Sequence, residues 1–580
     1  MRKAFLHNQA KRWLLPVLFF ILLTFTFTAQ ATHLKAGNIF YKSDTTAARS
    51  PYKFYITLVT FSVAATYEDM EATLYFGDCT HQTVTRESRT LLNNSYMNVY
   101  RFEHTYTAAG TYTVTYVGSN RNGGVLNISN AFQQTFFLQS TLTVDPLLGP
   151  NKSPVLQYAP LDAAVRNQVF QHNPFAYDAD GDSLSFKIVP LKTESSLSAC
   201  GDPTGKIAAG YQGLENFLGP VNTVKPAGFS IDKYTGLLTW NTPGVVGEVN
   251  VAFVVEEWRN GRLLGQVTRD MQIMILEDSN RPPVLTIPKD VCLVAGASVQ
   301  ETITAQDPDG HAVSLSALAG ILTPSSSGAT FIPGTTSGAF TWQTSCQDIK
   351  AEPYQVLFTA EDQPTTGVRL KDLQPWRITV VGPPPVLRSA VQESSTRIRL
   401  TWDTYSCANA RRIYIYRKEG PSSSFTPNAC QPGVPSSAGY TLVGQVNADV
   451  TTFLDTYSGT GNPNFCYRIY ADFGGTAGGN SVASNEVCAT LVTGMREGLG
   501  QQFSFYPNPA TTDFTVQAPA SVRLMKAQVL NQAGLKISTL TPRRTAAGWV
   551  FDLRSLTAGF YLLHLQTDQG TLVQKLVIAQ

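Results

Sequence analysis

The chain has 580 residues, of which 15% are charged, with 24 Tyr, 31 Phe, 44 Gly and 33 Pro. At about 100–150 residues per domain this length predicts four or five domains. Scarce charge, abundant aromatics and frequent Gly and Pro argue for short strands and turns and against long helices. The formal charge of +2 becomes −2 without Arg2, Lys3, Lys11 and Arg12, and −6 when residues 503–580, with seven Lys/Arg and three Asp, are also removed. A mildly acidic body excludes the basic footprint of a nucleic-acid binder.

Those four basic residues head a targeting segment, residues 1–31. The apolar run Leu14–Phe27 is 14 residues long, whereas a membrane-spanning helix needs about 20. Ala29-Gln30-Ala31 offers a small-x-small cleavage site, which puts the mature start at Thr32. No later window approaches spanning length, so the mature chain is expected to carry no transmembrane helix.

Residues 32–149 form the first expected unit. Tyr52–Phe61 alternates as a strand, and Leu74–Asp78 is another. Phe102–Tyr106 and Gly110–Val114 are joined by a turn. The pairing of Phe76-Gly77-Asp78 with His104-Thr105-Tyr106 and Gly110-Thr111-Tyr112-Thr113-Val114 resembles the PKD module, an extracellular β-sandwich. Cys79 stands where that family usually has Gly. The resemblance implies that His104 packs structurally beside the Phe-Gly-Asp turn and does no catalysis.

The chain then repeats itself. Asn151-Lys152-Ser153-Pro154-Val155 matches Asn280-Arg281-Pro282-Pro283-Val284, and Asp178-Ala179-Asp180-Gly181 matches Asp307-Pro308-Asp309-Gly310. Thr235–Trp240 matches Ser337–Trp342, and Phe253–Glu257 matches Phe358–Asp362. These marks divide the segment into residues 150–278 and 279–382, the first copy carrying an insertion near Leu191–Ala227 that holds Cys200. Both copies resemble the cadherin-like, dystroglycan-type sandwiches of surface proteins. The resemblance implies calcium at the domain joints, since a hard cation takes several oxygens at once. The matching ligands are Asp278, Asn280, Asp307, Asp309 and Asp362 at the second joint, and Asn151, Asp178, Asp180 and Glu257 at the first. Arg281 departs from the family, which has a further acid there. The alternative reading of each Asp-x-Asp-Gly box is a tight turn favoured by backbone geometry alone. The first box is not an EF-hand, because, counting from Asp178, Ser183 and Val189 stand at the sixth and twelfth positions.

A proline-rich start at Gly382–Val386 opens residues 383–492. Ile398–Trp402, Tyr414–Arg417, Phe453–Asp455, Cys466–Ala471 and Ser484–Cys488 read as strands, and their spacing resembles the fibronectin type III domain, with Tyr467 near its corner tyrosine. Residues 493–502 read as a linker. Residues 503–580 read as a small β-sandwich opened by a rigid Pro-Asn-Pro corner. Tyr506-Pro507-Asn508-Pro509, Gly534, Asp552-Leu553, Gly559-Phe560-Tyr561 and Lys575-Leu576-Val577 closely resemble the C-terminal sorting domain of the type IX secretion system of gliding and gingival-type bacteria. The resemblance implies export to the outer surface of a Gram-negative cell, with the secretion machinery and its sorting protease as partners.

Eight cysteines in an exported chain read as disulfides, and none forms Cys-x-x-Cys. Locality suggests Cys407–Cys430 and Cys466–Cys488 within one domain and Cys292–Cys346 within another, with Cys79 and Cys200 either free or bridging two domains. No nucleophile elbow, zinc-protease motif, phosphate loop or dinucleotide fingerprint occurs. The expectation is therefore an all-β chain of tandem sandwiches, adhesive or structural and non-enzymatic, with an unknown protein or glycan ligand. The alternative is a glycan-binding protein stacking sugars on Tyr211, Phe217 or Trp258, and a hydrolase on an unrecognised fold is the third.

Overall fold

The computed structural model describes residues 34–579 except 48, 64–68, 93, 323–327, 460, 476–477, 493–502, 532–533 and 547. The expected targeting segment, residues 1–31, and the expected linker, 493–502, lie outside the described residues. The described residues form strands joined by turns and one-turn 3-10 helices, with no α-helix among them. None contributes a helix long and apolar enough to cross a membrane. The fold class is all-β, built of successive β-sandwiches.

The first unit owes its architecture to strands that are apolar on both faces. Along Lys53–Val63, Phe54, Ile56 and Leu58 enter the unit's own core. Val59 and Phe61 turn the other way, with Ala36, Phe40 and Met97, into the core of the first repeat around Trp240, Phe253 and Met271. A sheet with two apolar faces must be covered on both.

The covering is literal. The strand Arg262–Leu276 of the first repeat inserts between Leu34–Ser43 and Phe136–Val144, pairing Gly37 with Asp270 and Val267 with Ser140. One hydrogen-bonded sheet of 12 strands thus runs through residues on both sides of the boundary expected at 149/150. Gly265 is needed at the crossing, because a Cβ there would lie 2.6 Å from the Thr141 carbonyl oxygen and collide with the Tyr41 hydroxyl. Further along, Arg121 and Asp270 form a bidentate ion pair at 3.1 and 2.5 Å with both side chains buried, and Arg121 also donates to the Lys192 carbonyl at 3.0 Å. The preceding residue, Arg269, reaches Asn38 at 3.0 Å.

The insertion near Leu191–Ala227 is a clasp on the first unit. Its hairpin, Lys192–Leu197 with Pro203–Ile207, carries Cys200, which is bonded to Cys79. At Cys79 the backbone is left-handed, with φ 69, a conformation that glycine adopts most readily.

The two repeats share a topology. In each, a short strand runs parallel to the last one: Leu161–Val165 beside Gln272–Leu276, and Val291–Val294 beside Ile378–Val381. They also pack against one another. Phe175 meets Leu357 and Leu373, Lys371 reaches Tyr158 at 2.7 Å and Asp162 at 3.3 Å, and Lys225 pairs with Asp372 at 2.7 Å.

The fourth unit is a sandwich of a three-stranded and a four-stranded sheet. Its core, with Trp402 and Tyr467, is continuous with that of the second repeat around Phe340 and Trp376. Cys466 and Cys488 face each other on adjacent strands and are bonded, as expected. The other two local pairings are corrected: the bonds are Cys292–Cys430 and Cys346–Cys407, both tying the second repeat to the fourth unit. Sequence distance discriminates weakly, because doubling a loop costs only about 0.6 kcal/mol of closure entropy. Proximity decides instead, with Cα separations of 5.2 and 5.6 Å. The last domain is two four-stranded sheets enclosing Phe514, Val516, Trp549, Phe551 and Leu563.

Peptide mapping of the unreduced chain is expected to yield 79–200, 292–430, 346–407 and 466–488; a 407–430 peptide would contradict this packing. Asp270→Ala, which strands a buried guanidinium, should cost about 3–5 kcal/mol, read as a lowered urea midpoint.

Candidate functional site

The Asp-x-Asp-Gly boxes do form tight turns. Asp178 Oδ1 accepts the amides of Asp180 and Asp182 at 2.9 and 3.0 Å, and Asp307 Oδ1 accepts those of Asp309 and His311 at 2.9 and 3.0 Å. In both boxes the other oxygen, Oδ2, is buried without a hydrogen-bond partner. Turn formation therefore accounts for only half of each carboxylate.

Around Asp178 the buried carboxyls of Asp182 and Glu257 complete a cluster whose oxygens lie within 4.8 Å of one another. Asp182 is held bidentately by Arg259 at 2.7 and 2.6 Å, and the same guanidinium reaches Asn151 at 2.7 Å. Glu257 accepts from the Tyr41 hydroxyl at 3.3 Å through one oxygen, while its Oε1 is unpartnered. Three buried acids thus face one cation. Burial first, and then the charge of Asp178, pushes Glu257 well above the usual carboxylate range; burial likewise raises Asp178 to about 6.

In the second repeat the ligand atoms within 4.8 Å of one another are those of Asp307, Asp309 and His311. Asn280 donates to Asp362 at 2.6 Å and to the Val368 carbonyl at 2.8 Å, leaving its own Oδ1 buried and unpartnered. Asp362 accepts the Leu370 amide at 2.7 Å, and its pKa is raised chiefly by burial, with Asp307 contributing. His311 stands where the first repeat has Asp182, 3.6 Å from Asp307.

The remaining expected ligands are taken by other partners. Asp180 accepts the Lys152 amide at 2.7 Å and its ammonium at 3.3 Å; Asp309 accepts the Arg281 amide at 2.8 Å and its Nε at 2.7 Å. Arg281, which breaks the cadherin-like pattern, is therefore the local counter-ion of the box. Asp278 accepts the amides of Asn280 and Val368 at 3.1 and 2.9 Å and belongs to a loop clasp. Sequence reading missed Asp182, His311 and Arg259. The first two were legible as the fifth position of each box, whereas Arg259 lies far along the chain and carries no signal.

His104 sits 2.7 Å from Asp78 and stacks on Phe76 with ring centroids 4.0 Å apart, a packing role at the Phe-Gly-Asp turn. The sugar-stacking candidates are all engaged elsewhere. Tyr211 packs on the small core of Val125 and Ile128, Phe217 on the core of the first repeat, and the Trp258 indole donates to Ser185 at 3.0 Å.

In the last domain Asn508 explains its own motif. Flanked by prolines that cannot donate, it supplies both halves of a strand ladder from its side chain: Nδ2 donates to the Lys575 carbonyl at 2.7 Å and Oδ1 accepts the Val577 amide at 2.8 Å. Gly534 turns with φ 77, and the Tyr561 hydroxyl donates to the Thr557 carbonyl at 3.0 Å, just before Gly559. Tyr506 is half exposed beside Pro507 and Pro509, and the Lys575 ammonium lies 4.8 Å over the exposed ring of Phe560.

Residues 504–579 match the family model of the secretion system C-terminal sorting domain. No curated protein gives a match. Among solved structures, domains A168–A170 of titin are 11% identical, with 58% of this chain and 98% of that chain covered, at a TM-score of 0.18. An E-to-A variant of titin domains I67–I69 is also 11% identical, with 51% and 98% covered, at 0.19. The sorting-domain match identifies a secreted or surface-attached protein.

Asn508→Ala removes both rungs of the corner and should destabilise the sorting domain by about 1–3 kcal/mol, measured as an earlier transition in thermal denaturation of the full chain.

Proposed function

We propose that this chain is an adhesive or structural protein of the outer surface of a Gram-negative bacterium, exported by the type IX system and without enzymatic activity. The observation that carries the reading is the match of residues 504–579 to a sorting domain, on a chain whose other described units are disulfide-tied sandwiches. In this reading residues 32–149 are PKD-like, 150–278 and 279–382 are cadherin-like, and 383–492 are fibronectin type III-like. Its partners are the secretion machinery, the sorting protease that removes residues 503–580, and a surface ligand. Deleting residues 503–580 is expected to leave the protein in the periplasm, seen by cell fractionation. Delivery of the truncated chain to the surface would overturn the reading.

Two calcium sites belong to the same proposal. The leading ligands are Asp178 and Glu257 in the first repeat, and Asp307 and Asn280 in the second; Asn151, held by Arg259, and Asp362, held by Asn280 and the Leu370 amide, would have to exchange those partners to join them. The support is the set of buried oxygens without partners, Oδ2 of Asp178 and Asp307, Oε1 of Glu257 and Oδ1 of Asn280, because stranded buried acceptors are costly and a hard cation relieves that cost. Bound calcium would draw these oxygens together and neutralise the excess carboxylate charge. Chelation of the purified chain should lower its thermal transition, since ligand at a hundredfold excess over Kd contributes about 2.7 kcal/mol. An unchanged melt with and without calcium would remove both sites.

A further inference from the structure

Where the two repeats meet, they leave between them an open cleft of about 790 Å³, within the range of about 300–1,000 Å³ typical of small-molecule sites. One wall is the first repeat's box turn with Tyr177 and Tyr234, which are 45% and 66% exposed. The other wall is the second repeat's segment 345–355, with Gln347, Lys350, Glu352 and Tyr354. The Ser183 hydroxyl donates to Glu352 at 2.5 Å and the Gln355 amide to the Thr235 carbonyl at 3.0 Å, so the walls are tied to each other.

The lining has a definite chemistry. Tyrosine presents a broad apolar ring with a polar tip and few rotatable bonds, so an exposed pair of them in a cleft is a ready contact surface. Tyr354 is braced edge-on by Trp342, with centroids 4.9 Å apart, and its hydroxyl donates to the Asp348 carbonyl at 2.9 Å. Lys350 lies 3.8 Å over the same ring. Burial lowers this ammonium to about 8. Asp180 and Asp182, which also line the cleft, already serve Lys152 and Arg259. The cleft therefore offers aromatic faces and hydrogen-bonding groups, and of its charged groups Asp180 and Asp182 are already paired while Glu352 accepts from Ser183. A ligand with apolar C–H faces and a rim of hydroxyls suits that lining better than an ion does.

We propose that this cleft binds a neutral oligosaccharide, with sugar rings seated on Tyr177 and Tyr234 and hydroxyls bonded by Gln347, Lys350 and Glu352. The inference deepens the surface-protein reading by naming a ligand class, and it is tested on purified protein, so its failure and a failure of export are seen separately. The full secreted chain would be titrated calorimetrically with cellohexaose, xylohexaose, mannohexaose and chitohexaose, and with hexalysine as an ionic control. Binding of at least one neutral hexasaccharide is expected, weakened about tenfold or more by Tyr234→Ala and by Tyr177→Ala and retained by Tyr234→Phe. Both tyrosines are exposed, so unchanged melting of the variants separates lost contact from lost fold. The proposal fails if no neutral hexasaccharide binds, if binding survives both alanine variants, or if hexalysine alone binds in a tyrosine-dependent way.

Discussion

Arg262–Leu276 is a strand that completes a sheet belonging to another part of the chain, and the architecture of the first half depends on it. Leu34–Ser43 would otherwise be an unpaired edge, and the outward residues Ala36, Phe61 and Met97 would be an uncovered apolar face. Inserting the strand pairs the edge and brings Trp240, Phe253 and Met271 over that face. It also brings Asp270 to Arg121, whose guanidinium has no solvent to fall back on. A buried ion pair is weak evidence for extra stability, yet removing one partner is expensive. Its effect here is to set register, since a slip of one residue would turn Asp270 away and reverse every apolar side chain on the strand.

The same principle organises the second half by different means. The second repeat and the fourth unit share a continuous core and two disulfides, and the two repeats are joined through Phe175, Leu357, Leu373 and the Lys371–Asp162 pair. Successive units of the body are thus packed on one another and not strung on linkers. For a protein working outside the cell, where unfolding is answered by proteolysis, slow opening matters more than equilibrium stability. Cross-unit strands and disulfides both raise that barrier. The side-by-side contact of the repeats also creates the cleft lined by Tyr177 and Tyr234, a feature that an end-to-end tandem would lack.

The sequence disclosed what is local and withheld what is not. The sorting motif was legible because Asn508, Gly534 and Gly559 each answer a backbone demand within a few residues, and the repeat because four marks recur in order. The swapped sheet was not legible. Alternation along Lys53–Val63 reveals a strand, but an apolar residue on its second face reads as noise until the covering unit is known. Disulfide pairing by nearness failed at Cys292, Cys346, Cys407 and Cys430 because closure entropy is too shallow a function of loop length to outweigh packing. In the first repeat Asp178 and Glu257 lie together, and in the second Asn280 meets Asp362, whereas Asp180, Asp278 and Asp309 are spent on backbone amides and on Lys152 or Arg281. Tyr177 and Tyr234 escaped notice because exposure of an aromatic is a tertiary property.

The shared sheet makes the described residues between 34 and 278 one cooperative body. Native-state hydrogen exchange with peptide-resolved mass spectrometry tests it most directly. The amides of Leu34–Ser43 and of Arg262–Leu276 should open together, with the same free energy and the same denaturant dependence. If Leu34–Ser43 exchanged with the first unit alone, while Arg262–Leu276 stayed protected with the first repeat, the two would be separate domains and the account would be wrong.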